Sequence, residues 1–220
     1  KAEALNQAMK DLVKIFDVVF YEEDGLTALE TVVVEIGQKV VAPEAPAKIG
    51  FGFVGWYLGE QLFDLETPIK EKLELVAGYE LITGLNVKNE AELVAALADP
   101  NIRVINFVDD IVLTEKLVIL RDEILINGND KTLSLVSAEG WQGDYILHLY
   151  QVKEIVLNNL TFSGGDAALL VNGSEVLVNN IALIGQEFGG IEVSQGVEVT
   201  EEPKLVVEGT ISYDSLALPT

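Results

Sequence analysis

The stretch Glu154-Ile155-Val156-Leu157-Asn158-Asn159-Leu160 constrains the fold more than any other, because it returns. The chain reads Glu123-Ile124-Leu125-Ile126-Asn127-Gly128 before it, and Glu175-Val176-Leu177-Val178-Asn179-Asn180-Ile181 after it. A fourth copy is Lys204-Leu205-Val206-Val207-Glu208-Gly209. Each copy is a charge, three aliphatic residues and a turn pair. One short strand returning at unequal intervals marks a solenoid, in which a coil buries its apolar side only by stacking on its neighbours and coils differ in loop length.

Side chains alternate along a strand. If Ile124, Ile155, Val176 and Leu205 face inward, then Leu125, Val156, Leu177 and Val206 face outward. The predicted sheet is apolar on both faces, so the outer row calls for a cover: the N-terminal helix, the first module, a loop or a second molecule. Asn127, Asn158 and Asn179 fall at one level. They are expected to form a structural ladder, since Asn tolerates left-handed backbone and its amide bonds to the copies above and below. Glu208-Gly209 interrupts that ladder in the last copy. Glu123, Glu154 and Glu175 stack just before the strand and read as a solvated edge without an assigned role.

Between the copies lie partner strands at Tyr145 to Tyr150, Ala167 to Val171 and Gly190 to Val193. Aligning the coils stacks Leu147 over Leu169 and Leu149 over Val171. Strands are also expected at Arg103 to Val108, Ile111 to Leu113 and Leu117 to Leu120. Ahead of them, Asn89 and Glu92 form a capping box for a helix carrying Leu93, Val94, Ala96 and Leu97, stopped by Asp99-Pro100-Asn101. Such a helix can cover the open apolar end of the first coil.

The N-terminal part follows other periods. Leu5, Met9, Leu12 and Val13 share a helical face, so residues 2 to 15 read as a helix that links to something upstream. Period-two strands follow at Phe16 to Tyr21 and Glu30 to Ile36, separated by Glu23-Asp24-Gly25. Trp56 and Phe53 are assigned to a small core. Thr83-Gly84 breaks the pattern, giving the division 1–15 linker helix, 16–81 first module and 82–220 solenoid, with an uncapped end at Ser215 to Thr220.

Composition excludes several function classes. With 36 acidic and 14 basic residues the net charge is -22, which disfavours nucleic acid and anionic membranes as partners. The absence of cysteine removes thiol catalysis, disulfides and Cys-zinc sites, and the single histidine, His148, removes His-cluster metal sites. No run of apolar residues is long enough to span a bilayer. No signal peptide is visible and the chain starts at Lys1 without Met, as expected of a mature protein or an excised fragment.

Two resemblances rest on these residues. Residues 16 to 80 resemble the Listeria–Bacteroides (internalin B-type) repeat. The features that carry it are Val18 to Gly25, the spacing Gly37, Val40, Pro43, Pro46, the phrase Gly50-Phe51-Gly52-Phe53-Val54-Gly55-Trp56-Tyr57, Phe63-Asp64 with Thr67-Pro68-Ile69, and Leu73, Leu75, Ala77. Gly78-Tyr79 departs from the polar residue and Trp usual there. The resemblance implies a β-grasp-like (ubiquitin-like) module of bacterial surface proteins, a spacer or interaction unit without catalytic residues. Residues 86 to 220 resemble the pectate-lyase-like right-handed parallel β-helix of the Gram-positive surface adhesive type, carried by Val87 to Leu97, Asn101-Ile102, Ile124 to Gly128 and the repeated Asn-turn strands.

The lyase chemistry of that fold uses calcium held by clustered carboxylates and an Arg or Lys that takes a proton beside a uronate. Arg103 and Arg121 are the only arginines, with Asp109, Asp110 and Asp122 nearby in sequence. Asp109-Asp110 fits a turn better than a metal cage, and no calcium-loop motif exists. His148 aligns with Leu170 and Glu192 on the outward face and reads as a lone surface histidine. Trp141, in the insertion Ser137 to Asp144, with Tyr145, His148 and Tyr150, is the candidate ligand patch, since aromatic faces pair with sugar rings. Trp141 either stands exposed there or folds back as a plug.

The expectation is therefore a mainly β chain: a β-grasp-like module, then a short right-handed parallel β-helix with a helical N-terminal cap. It is a non-catalytic segment of a secreted or cell-surface bacterial protein, serving adhesion or spacing and presentation. The alternative is a carbohydrate-binding or polysaccharide-cleaving β-helix. No catalytic residue, metal site or cofactor is assigned, calcium being the one ion its acidic surface invites. The expected partner is a host or cell-surface protein or polysaccharide, with self-association through the β-helix end or the outer apolar row.

Overall fold

A computed structural model describes residues 13–46, 48, 50–197 and 199–214. The helix expected over residues 2 to 15 lies almost wholly outside them, and its last residue, Ile15, instead opens a strand. The expected open end at 215–220 also lies outside them. The chain divides into two compact units, Lys1–Leu81 and Ile82–Thr220.

In the first unit β1 (Ile15–Tyr21), β2 (Ala28–Glu35), β3 (Phe51–Leu58), β4 (Gln61–Leu62) and β5 (Leu73–Leu81) form one sheet in the order β2-β1-β5-β3-β4. The central pair β1–β5 is parallel and the other pairs are antiparallel. Period-two alternation sends Val18 and Phe20 into a core with Val34, Trp56, Ile69, Leu75 and Ala77. The Phe20 ring meets Trp56 edge-on at 4.7 Å. Phe53 corrects the expectation that both aromatics are core: it is 42% exposed. The register shifts between Phe53 and Gly55, and Phe53 turns an edge to Trp56 and Tyr79 instead. At Gly78 the Tyr57 ring occupies the space a Cβ would need, so glycine at this position serves packing.

The second unit begins with β6 (Leu85–Val87) and α1 (Glu90–Ala98). Asn89 Oδ1 accepts the Glu92 N–H at 2.9 Å, while the Glu92 carboxylate accepts the Lys88 N–H and the Asn89 amide. Leu93 and Ala96 enter the core that the coils share. The strands β7 (Val104–Phe107), β8 (Ile111–Leu113), β9 (Leu117–Ile119), β10 (Ile124–Leu135), β11 (Tyr145–Tyr150), β12 (Ile155–Gly164), β13 (Ala167–Asn172), β14 (Glu175–Ile184), β15 (Gly189–Ser194) and β16 (Lys204–Asp214) follow. They stack as two parallel sheets, β16-β14-β12-β10-β7-β6 with β8 beside β10, and β15-β13-β11-β9. This is a mainly β, β-helix-like arrangement.

The turn pairs do not end the strands, as expected; they bend them. Asn129 and Asp130 in β10, Asn159 in β12, Asn180 in β14 and Gly209 in β16 have positive φ. Such a residue turns the chain through a corner while the ladder continues on both sides, at Thr132↔Thr161↔Ala182 as at Leu125↔Val156↔Leu177. Each long strand thus supplies two faces of a coil. Inside, Ile124, Ile155 and Val176 form one level and Ile126, Leu157 and Val178 the next, all buried. Each such side chain contributes about 1.5–3 kcal/mol of burial free energy.

The outer row is less bare than expected. Leu125, Leu177 and Val206 are half-buried and Val156 is 9% exposed. Same-face neighbours on adjacent strands sit roughly 4.8 Å apart, so the row covers itself along the stack. On either side it is flanked by the column of charges and by the asparagines.

Candidate functional site

Polar groups on the long-strand sheet bond from coil to coil. Asn86, Asn106, Asn127, Asn158 and Asn179 lie in register. Asn106 donates to Asn86 at 3.4 Å, Asn127 to Asn106 at 2.9 Å and Asn158 to Asn127 at 3.3 Å. The stack thus begins two coils before the repeats do. A second row beside it runs from Asn159 through Asn180, whose Oδ1 accepts the Thr210 N–H. The left-handed backbone belongs to Asn159 and Asn180, while Asn127, Asn158 and Asn179 have none. Glu208 faces Asn179, but the second row passes this point into β16.

The carboxylate column is also engaged. Glu123 pairs with Arg103 and Glu175 with Lys204, which stands in the same column one coil on. Glu154 remains exposed between them. Glu123 and Glu154 have φ of 60° and 56°, so these positions are corners of the coil as well as edge charges.

Arg121 and the aspartates Asp109, Asp110 and Asp122 bond to backbone. Arg121 donates to the carbonyls of Leu97 at 2.8 Å, Ala96 at 3.3 Å and Ile102, binding the C-terminal end of α1, and burial lowers its pKa. Asp110 accepts the Thr132 N–H, Asp109 the Asp110 N–H and Asp122 the Lys153 N–H. Among the described residues no group of three or more His, Asp or Glu side chains is placed to hold a metal ion.

The other sheet is different. Trp141, 51% exposed, meets Tyr145 at 5.6 Å and 89° and Phe188 at 5.5 Å and 88°. With Glu192 and the small residues Ala167, Gly189 and Gly190 they line a cleft of about 120 Å³. The Tyr145 hydroxyl donates to the Glu192 carboxylate. Burial, then that carboxylate, pushes the Tyr145 pKa up to about 12. The insertion carrying Trp141 is tied down by Asp166. This fully buried carboxylate accepts the Gln142 N–H at 2.6 Å and the Asp144 N–H at 3.0 Å with one oxygen, and its other oxygen has no partner.

The four residues of the expected patch are thus split. Trp141 and Tyr145 share the cleft, while His148 and Tyr150 pair with each other at 5.8 Å outside its lining. His148 is half-buried rather than a free surface histidine. Its Nε2 has no partner, and burial, then the Lys116 ammonium, lowers its pKa. Phe188, Glu192 and Asp166 were missed. The available signal was the column Tyr145↔Ala167↔Gly189, where small residues leave room beneath a ring.

Residues 84–194, half of the 220-residue chain, match the family described as "Putative pectate lyase-like adhesive domain". The chain belongs to this family. The match to the pectate lyase-like adhesive domain runs from β6 to the end of β15 and includes the cleft. Among solved structures, one described as "L. reuters 100-23 SRRP" matches at 20% identity with a TM-score of 0.45, over 63% of this chain and 46% of its own length. This chain therefore spans less than half of that structure. No curated protein matches it.

Proposed function

We propose that the chain is a non-catalytic segment of a secreted or cell-surface bacterial protein, acting in adhesion to a host or cell-surface protein or polysaccharide. The observation that carries this reading is the engagement of both arginines: Arg103 holds Glu123 and Arg121 holds three carbonyls, leaving neither arginine free to serve as the base of a lyase. Membership in an adhesive-domain family supports it. Incubation with polygalacturonate and calcium is expected to give no unsaturated product. Turnover that disappears on changing Arg103 or Arg121 would overturn the reading. Beads coated with the chain should be retained on host cells or polysaccharide films above uncoated beads; equal retention would leave only a spacer role.

We read the first unit as the internalin B-type, β-grasp-like module. Its support is a mixed sheet with a parallel central pair, closed over Phe20 and Trp56. Limited proteolysis is expected to cut between residues 82 and 84 and release two resistant fragments. We read α1 as the cap of a right-handed β-helix, because Leu93 and Ala96 enter its core. At the other end, β16 bonds only to β14 among the described residues and exposes Val207, Ile211 and Tyr213, which supports self-association there. Light scattering that shows a monomer at every concentration would count against it.

A further inference from the structure

We propose that the cleft between Trp141, Tyr145, Phe188 and Glu192 binds a quaternary ammonium group. As a property of the cleft this needs no assumption about adhesion; only the idea that a partner surface displays the group rests on the adhesive reading. Trp141 stands perpendicular to both other rings, so the aromatic walls meet at right angles around one small space. Ring faces carry negative potential, and a cation enclosed by several of them is attracted to each. Glu192 adds a carboxylate to the same wall, fixed by the Tyr145 hydroxyl. No Lys or Arg lines the cleft, and the chain carries a net charge of -22. Lys116 donates to the Gly143 carbonyl at 3.3 Å, outside the lining.

Size and hydrogen bonding choose among cations and sugars. About 120 Å³ is well below the roughly 300–1,000 Å³ of ordinary small-molecule sites, so one compact group fits. A sugar ring would bring several hydroxyls, each both donor and acceptor, to a lining whose one charged side chain, Glu192, can accept but not donate. A quaternary ammonium has charge and no donors to satisfy. The walls are also set in advance, because Asp166 holds the backbone on the C-terminal side of Trp141 and the strand register fixes Tyr145 beside Ala167, with Gly189 one strand further on.

The test is a fluorescence titration of the whole chain at constant ionic strength. The other tryptophan, Trp56, is buried in the first unit. Choline is expected to give a saturable change that is absent in Trp141→Phe. Its neutral isostere 3,3-dimethyl-1-butanol should bind roughly tenfold more weakly or worse. Glu192→Gln should weaken choline several-fold. Gly189→Leu should abolish binding without unfolding, since a Cβ there meets nothing within 4 Å. Equal binding of the neutral isostere, or unchanged binding by Gly189→Leu, would overturn the site; methylammonium binding as tightly as choline would overturn the quaternary assignment. Retention of coated beads on cells is measured separately, so loss of the ammonium site and loss of adhesion are told apart.

Discussion

The two sheets of the second unit use polar residues in opposite ways. On the long-strand sheet, asparagines bond to asparagines and most edge charges meet an opposite charge in the next coil. On and around the short-strand sheet, His148 Nε2, Asp166 Oδ1 and Gln186 Oε1 are buried without partners, and three aromatic rings enclose a cleft. Unsatisfied buried polar atoms are costly. The first sheet is thus built to repeat, while the second departs from the repeat where its loops carry Trp141 and Phe188. The difference sets the proposed binding cleft on the irregular side of a regular scaffold.

This contrast can be broken by mutation. The largest effect should come from the shared core: Phe162→Ala, at a fully buried position, is expected to cost about 3–5 kcal/mol in urea unfolding. A loss near zero would mean that the coils are not closely packed. Asp166→Ala removes the acceptor of two backbone N–H groups, with an expected cost of about 1–3 kcal/mol. It should also lower the fluorescence anisotropy of Trp141; unchanged anisotropy would show that the loop does not depend on this carboxylate. Asn158→Ala is expected to cost about 0.5–1.5 kcal/mol and to leave the cleft unchanged, measured by the same unfolding and by choline titration. An effect on the cleft would erase the division between the two sheets.

The smallest expected effect is a dependence on pH. His148 has a pKa lowered from the ordinary 6.5, so below that value the unfolded chain takes up more protons than the folded one. Stability therefore falls as pH drops through this window. His148→Leu, which copies Leu170 in the next coil, should remove that share of acid sensitivity. A wild-type-minus-variant difference constant between pH 7 and 5 would contradict it.

Much of the scaffold was legible because stacking leaves a periodic trace. Glu154 to Leu160 and its copies predict the pairings Ile155↔Val176 and Asn158↔Asn179, and Leu147↔Leu169 follows from the same alignment. The capping box at Asn89 was legible for a local reason, since its partners lie three and four residues apart. The second legs of the long strands were not, because one left-handed asparagine looks in sequence like the end of a strand. Phe53 was misplaced because a register shift beside Gly55 leaves no sequence signal as clear as a repeat.

By itself, then, the sequence determined a stack of coils, their register and the absence of thiol and His-cluster chemistry, and it disfavoured nucleic acid as a partner. These follow from local periodicity and composition. Only the tertiary structure decided that Arg103 and Arg121 are occupied, that His148 and Tyr150 stand apart from Trp141, and that the Tyr145 hydroxyl donates to Glu192, 47 residues away. Those outcomes depend on how loops of unequal length fold over the coils. A repeat fixes what stacks on each strand, but each insertion finds its place by the surface it meets.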